Sequence, residues 1–211
     1  FGSQLLLSPV YPEDGLIFAG TVEDGVYRSG DRGATWEAWN IGLFDPQILC
    51  MAASPDLAHD RTLFVGTESG IFQSVNNGRF WRELSFAMDH APVLSLAVSS
   101  QYGEDGTLYA GTEAHGLWRS SDRGESWRHV DGLDTTDPIN AIIVDGNADE
   151  LLVSLDATIM ESSDGGSSWK VRAASPNEAS FTAIAAPPGI DGALLAGLSD
   201  GRVIVVAHSR R

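Results

Sequence analysis

Carboxylates are the side chains with the most chemical potential in this 211-residue chain. Acids fall in turns at Glu23 with Asp24, Glu68, Glu113, Asp156 and Asp200. Two such groups about 5–10 Å apart would suit glycosidic hydrolysis, one as acid and one as base or nucleophile. A ring of them would instead receive a cation or a basic segment of a partner. Turns also favour Asp and Glu for geometry and solubility alone. Arginine offers the next chemistry, since clustered guanidinium groups grip a carboxylate bidentately. Arg28 in "VYRSG" and Arg119 in "LWRSS" occupy the same place in two units, which marks them as strand-surface residues. His59, His90, His115, His129 and His208 show no ligand spacing, and no metal is assigned. His90 and His115 fall in predicted loops. Cys50, alone within "ILCMAAS", forms no disulfide framework and reads as a buried strand thiol. With no HExxH, GxSxG or phosphate-cradling glycine loop, no catalytic residue and no cofactor is assigned.

The charge balance narrows the partners. Against 29 acids stand 13 basic residues, of which only Lys170 is a lysine, giving −16. Such a surface repels phosphate backbones and anionic lipid, which excludes nucleic acid and membrane insertion. A basic segment, a cation or a neutral ligand is compatible with it. The longest apolar runs, "LLL" at 5–7 and "VIVV" at 203–206, are strand-sized, and the first residues lack the pattern of a signal peptide.

These residues sit on a repeating frame. Trp36, Trp81, Trp127 and Trp169 recur about every 45 residues. A second marker keeps the same beat: "AGT" at 19–21, "VGT" at 65–67, "AGT" at 110–112, "VSL" at 153–155 and "AGL" at 196–198. In the third unit "VLSLAVSS", "TLYAGTE", "LWRSS" and "SWRHV" read as four short strands with Gly and Asp punctuation. One such meander cannot bury both faces, so the units must stack. Stacked about an axis, four-stranded antiparallel sheets form an all-β propeller.

Each tryptophan ends an octet: "SGDRGATW" (29–36), "SVNNGRFW" (74–81), "SSDRGESW" (120–127) and "SSDGGSSW" (162–169). Asp31, Asp122 and Asp164 are expected to accept from backbone N–H groups two or so residues on, and Asn76 to do so without charge. Gly33, Gly78, Gly124 and Gly166 stand where the turn needs positive φ. Ser29, Ser74, Ser120 and Ser162 are expected to bond the opposite limb. The indole then packs between neighbouring sheets, removing roughly 150–250 Å² from water.

The pattern S-x-D-x-G-x-[ST]-W resembles the Asp-box, or BNR repeat, of sialidases, xyloglucanases, sortilin-type receptors and photosystem II assembly factors. Three octets match fully; the second has Asn76 for Asp and Phe80 for Ser or Thr. The resemblance implies Asp-box hairpins between third and fourth strands of each blade. It implies no single activity, because the box serves hydrolases, receptors and assembly factors. A sialidase motif of the Arg-Ile-Pro type is absent. The xyloglucanase apparatus lies in a cleft between two larger propellers, where this chain has room for one small one.

The expected domain spans 1–211 as five blades at about 5–47, 48–92, 93–138, 139–179 and 180–211, closed as a ring. The last lacks an octet and a clear fourth strand, which "FGSQ" could supply; an incomplete ring would self-associate. In a propeller the acidic turns share one face with the connections "GLFDPQ", "FAMDHAP", "LDTTDP" and "SPNEA". Phe44 and Phe86 on those loops are expected to anchor a ligand. The binding face is therefore Glu23, Asp24, Phe44, Glu68, Phe86, Glu113, His115, Asp156 and Asp200. The expected function is a non-enzymatic binding or assembly module for a protein or other ligand. The alternative is a glycoside-hydrolase-like module that acts on or binds carbohydrate. The family resemblance leans towards a secreted or periplasmic setting.

Overall fold

The computed structural model describes residues 2–86, 91–133, 135–145, 148–186 and 193–207. Five antiparallel sheets follow one another along the chain. The first holds β1 (Gly2–Leu7), β2 (Ile17–Thr21), β3 (Val26–Ser29) and β4 (Glu37–Ala38). The second holds β5 (Ile48–Ala53), β6 (Leu63–Thr67), β7 (Ile71–Ser74) and β8 (Arg82–Glu83). The third holds β9 (Val93–Val98), β10 (Leu108–Thr112), β11 (Leu117–Ser120) and β12 (Arg128–His129). The fourth holds β13 (Ala141–Asp145), β14 (Glu150–Ser154), β15 (Thr158–Ser162) and β16 (Lys170–Ala174). The fifth, among the described residues, has three strands: β17 (Phe181–Ala185), β18 (Leu194–Leu198) and β19 (Val203–Val206). The first strand of every sheet lines one central cavity of about 340 Å³, bordered by Gln4, Cys50, Ser95, Asn140 and Thr182. This is a five-bladed β-propeller. The segment "FGSQ" is no outer strand, because Gly2–Leu7 pairs with β2 as the innermost strand of the first blade.

Stacking explains the burial pattern. All five residues of β6 and of β10 are buried, since blades two and three are covered on both flanks. Each core lies between consecutive blades. Phe18, Val26, Ile48, Met51 and Trp81 join blades one and two, and Phe64, Ile71, Val93, Tyr102 and Leu108 join two and three. Tyr109, Leu117, Ile139, Leu151 and Val153 join three and four. Ile159, Phe181, Leu194, Ala196 and Leu198 join four and five. The expected ring closure has no such core among the described residues: Leu5 and Leu7 on blade one, and Val203 and Val205 on blade five, are exposed.

Two local devices time the repeat. In the marker "GT", the threonine hydroxyl closes the turn that follows: Thr21, Thr67 and Thr112 donate to the carbonyls of Gly25, Gly70 and Gly116. The second device is a serine–aspartate clasp across the link from first to second strand. Ser8 donates to Asp14 at 2.6 Å, Ser54 to Asp60, and Ser99 to Asp105 at 2.6 Å. Each clasp encloses a single helical turn, α1 (Tyr11–Asp14), α2 (Leu57–Asp60) or α3 (Tyr102–Asp105). Composition alone marks "QYGEDG" in the third unit as a polar loop, whereas its Tyr102–Asp105 winds into a helical turn. Ser and Asp six residues apart in three successive units are the signal that would have found the turn.

Candidate functional site

The octets build the opposite end of the propeller from the candidate face. Their geometry is tighter than sequence suggests. Ser29 donates to Asp31 Oδ1 at 2.8 Å, and its oxygen accepts from the Gly33 N–H at 2.8 Å. Asp31 Oδ1 accepts from the Thr35 N–H at 2.8 Å, and Oδ2 from the Thr35 hydroxyl at 2.6 Å. The carboxylate therefore reaches four residues on, not two. Asp122 and Asp164 repeat these bonds with Ser126 and Ser168. In the second octet Asn76 Oδ1 still accepts from the Ser74 hydroxyl and the Phe80 N–H, both at 2.9 Å. Only the hydroxyl–carboxylate bond is lost there, because Phe80 has none to offer. The four glycines lie at φ between 87° and 91°, as the sequence requires. The residue before each also has positive φ: Arg32, Asn77, Arg123 and Gly165.

Of the four indoles, Trp81 is fully buried. It donates to the Trp39 carbonyl of the preceding blade at 2.8 Å. Trp127 and Trp169 are half-buried and also lean on the preceding blade. Trp36 departs from expectation: among the described residues it joins no core between blades, and it is 39 % exposed.

These clasps give the fold an acid limit. The hydroxyl and N–H of Thr35, with Ser29, hold Asp31 down to about 2, and Ser168 with Ser162 does the same for Asp164. An unfolded aspartate titrates at about 3.9. The stabilisation is thus complete above that value and disappears as the pH falls towards 2. Urea midpoints should decline over that window. The double variant D31N/D164N, which imitates the second octet, should flatten the decline.

At the other end, hydrogen bonds bring the second-to-third-strand turns and the interblade connections onto one face. The Gly25 N–H donates to the Pro46 carbonyl at 3.0 Å, and the Ser69 N–H to Asp45 Oδ2 at 2.9 Å. The Glu113 N–H donates to the Pro92 carbonyl, and the Phe181 N–H to that of Asp156. Glu23, Asp24, Glu68, Glu113 and His115 are exposed there. Phe44 is 83 % exposed. The turns carrying Glu23 with Asp24 and Glu68 are both tied to the loop that carries Phe44. Asp156 and Asp200 are exposed but engaged, Asp156 by the Ser180 hydroxyl and Asp200 by Arg202 at 2.5 Å.

Phe86 does not join Phe44 as a surface anchor. It is half-buried, edge-on to Trp118 at 5.7 Å and to Trp127 at 5.4 Å, because the third blade offers it an aromatic flank. His90 and His208 lie outside the described residues.

Two residues absent from the sequence reading organise this face. Asp45 is partly buried. Burial raises its pKa, but bonds from Gln47 and from Ser69 and Thr67 outweigh it and hold the carboxylate below its usual range. Asn40 accepts from the Val26 N–H at 2.7 Å and donates to the Asp24 carbonyl at 2.8 Å, fixing the first acidic turn. The "DP" pair before an inner strand, in "FDPQ" and "TDPI", is the only local hint of the former.

The other candidates have structural surroundings. Cys50 is buried, donates to the Val93 carbonyl, and burial pushes its thiol up to about 12. Arg28 stacks on Trp39 with its Cζ 4.4 Å from the ring centre, and burial lowers its pKa. Arg119 lies over Tyr109. Both arginines thus serve strand packing. Among the described residues no helix is long and apolar enough to cross a membrane.

The chain matches no family model and no curated protein in sequence. In structure it is similar to a GH74 xyloglucanase from Xanthomonas campestris, with a TM-score of 0.75 and 23 % identity over 97 % of this chain and 35 % of that one. It is similar to the extracellular domain of a one-component system from B. thetaiotaomicron, TM-score 0.71 and 15 % identity over 94 % and 26 %. It is also similar to YCF48 bound to D1 peptide, TM-score 0.69 and 14 % identity over 93 % and 62 %. The chain spans less than two thirds of each, and at these identities the shared property is the propeller fold.

Proposed function

We propose that this chain is a non-enzymatic binding module whose face around Phe44 takes a basic, extended segment of a partner protein. The carrying observation is Phe44 itself, 83 % exposed on a loop held at Asp45 and Pro46 by both flanking turns. An exposed ring on an ordered loop offers apolar contact at little ordering cost. Glu23, Asp24 and Glu68 around it supply attraction for Lys or Arg. The likeness to YCF48, solved with a D1 peptide, supports peptide binding as a use of this fold. The octets are read as Asp-boxes that brace the blades. A secreted or periplasmic setting belongs to the same reading, supported by the extracellular domain among the similar structures.

The likeness to a GH74 xyloglucanase favours a second reading, carbohydrate binding or cleavage. The two separate experimentally. A fluorescein-labelled peptide of alternating Arg and Leu should bind with an affinity that falls steeply with added salt. F44A, or E23Q with E68Q, should weaken it at least tenfold. Retention of affinity in those variants would defeat the proposal. So would turnover of xyloglucan or an aryl glycoside that a single Asp or Glu substitution abolishes.

A further inference from the structure

The joint between blades one and two leaves open a set of charges that the next joint closes. Aligned on the octets, Arg28, Glu37 and Arg79 correspond to Gln73, Arg82 and Glu125 one blade later. At the joint of blades two and three these side chains engage one another. Arg82 donates to Gln73 Oε1 at 2.7 Å and pairs with Glu125 at 2.5 Å. At the joint of blades one and two Glu37 instead accepts from the Trp39 Nε1–H at 3.2 Å. Among the described residues no carboxylate comes within ion-pairing distance of Arg28 or Arg79. Arg28 Nε is buried there without a hydrogen-bond partner.

Trp39 accounts for the difference. Its counterparts Leu84 and Val130 are buried against Gly124 and Gly166, the octet glycines of the following blades. The Trp39 indole reaches Gly78 in the same way, but it is too large to be covered and stays half-buried. Both cations gather on it, Arg28 Cζ at 4.4 Å and Arg79 Cζ at 5.4 Å from the ring centre. Stacking engages the flat face of a guanidinium and leaves its N–H edge available. The two charges also repel: after burial, Arg79 is the next cause that lowers the Arg28 pKa, with Glu37 and Asp14 opposing it. Ile41 and Phe80 extend the joint outwards. The Trp81 N–H donates to the Ile41 carbonyl at 2.8 Å, and a Cβ on Gly42 would meet Phe80 Cε2 at 3.0 Å. Ile41 is 71 % exposed and Phe80 52 %, although the other octets carry Thr35, Ser126 and Ser168 at the place of Phe80.

We propose that this patch binds a short acidic peptide segment, with its carboxylates on the edges of Arg28 and Arg79 and an apolar neighbour on Ile41 and Phe80. A carboxylate matches the guanidinium edge bidentately. The next joint already shows one meeting an arginine at the corresponding place, in Glu125 with Arg82. The apolar pair favours a peptide over a simple anion, which would touch the arginines alone. The net charge of −16 favours a lightly charged segment over a polyanion, which the rest of the surface repels. The patch is built on octet residues, not on the acidic turns, and shares no residue with the Phe44 face.

Fluorescence anisotropy of a fluorescein-labelled peptide of alternating Glu and Leu tests this on the 211-residue chain. R28Q, R79Q and F80S should each weaken binding at least tenfold. R79E, which imitates Glu125 and gives Arg28 a carboxylate of its own, should abolish it. F80S restores the serine of the other octets and R79Q lies on the surface, so both should keep the urea midpoint of the parent chain. They carry the test even where R28Q disturbs the strand. A peptide of alternating Gln and Leu should bind at least tenfold more weakly than the acidic one. F44A, and E23Q with E68Q, should leave the affinity for the acidic peptide within twofold, which separates this outcome from that of the Phe44 face. Absence of binding, or an affinity unchanged by R79Q or by F80S, overturns the proposal. Equal binding of the Gln peptide does so too, since the contact would then be apolar alone. Displacement of the peptide by an equal concentration of inorganic phosphate also overturns it, since the site would then take simple anions.

Discussion

Trp81→Ala should destabilise the fold by about 3–5 kcal/mol, the range for deleting a large buried aromatic. The ring is fully buried among Phe18, Val26 and Ile48 of the first two blades, and its N–H satisfies the Trp39 carbonyl. Truncation leaves a cavity at that joint and an unpartnered acceptor. Chemical denaturation checks the value. Trp36→Ala is the control: in this chain its cost should be a small fraction of that of Trp81→Ala, because its ring is 39 % exposed. Equal costs would mean that the octet tryptophans act within their own hairpins rather than between blades.

Gly66→Ala should cost about 1–3 kcal/mol by overpacking. Its added methyl would lie 2.5 Å from Cys50 Sγ and 2.7 Å from the Val93 carbonyl. The sulfur can turn aside; a carbonyl of the neighbouring inner strand cannot. Gly197→Ala, at the matching place in blade five, meets nothing nearer than Thr182 Oγ1 at 3.5 Å and should be near neutral in this chain. Paired urea titrations of the two variants test the contrast. A similar loss for both would detach the marker glycine from any role between blades.

Much of the architecture was legible because it is written locally. Val93–Val98 reads as a short β-type apolar run, and Gly and Asp recur in the turns. The octet hydrogen bonds close within eight residues, so their participants could be named without knowing what lies beyond. The direction in which the indoles lean was not legible, because it depends on a neighbour some 45 residues away. Phe86 shows the same limit. As a loop phenylalanine it has the same local signature as Phe44, and only the placement of Trp118 and Trp127 separates them. Asp45 and Asn40 act across the face on Ser69 and Val26, so their roles emerge only once the blades are assembled.

The cores between blades bear on how such a chain can change length over evolutionary time. Because they are built from the facing flanks of consecutive blades, a whole unit duplicated in frame arrives with both halves of the coupling and can join the series without redesign. An insertion of a few residues inside a strand has no such freedom, since it shifts every later side chain of that strand by part of a pleat and unsettles the cores on both sides at once. Growth and loss should therefore proceed in steps of one complete unit, with smaller changes confined to the exposed turns.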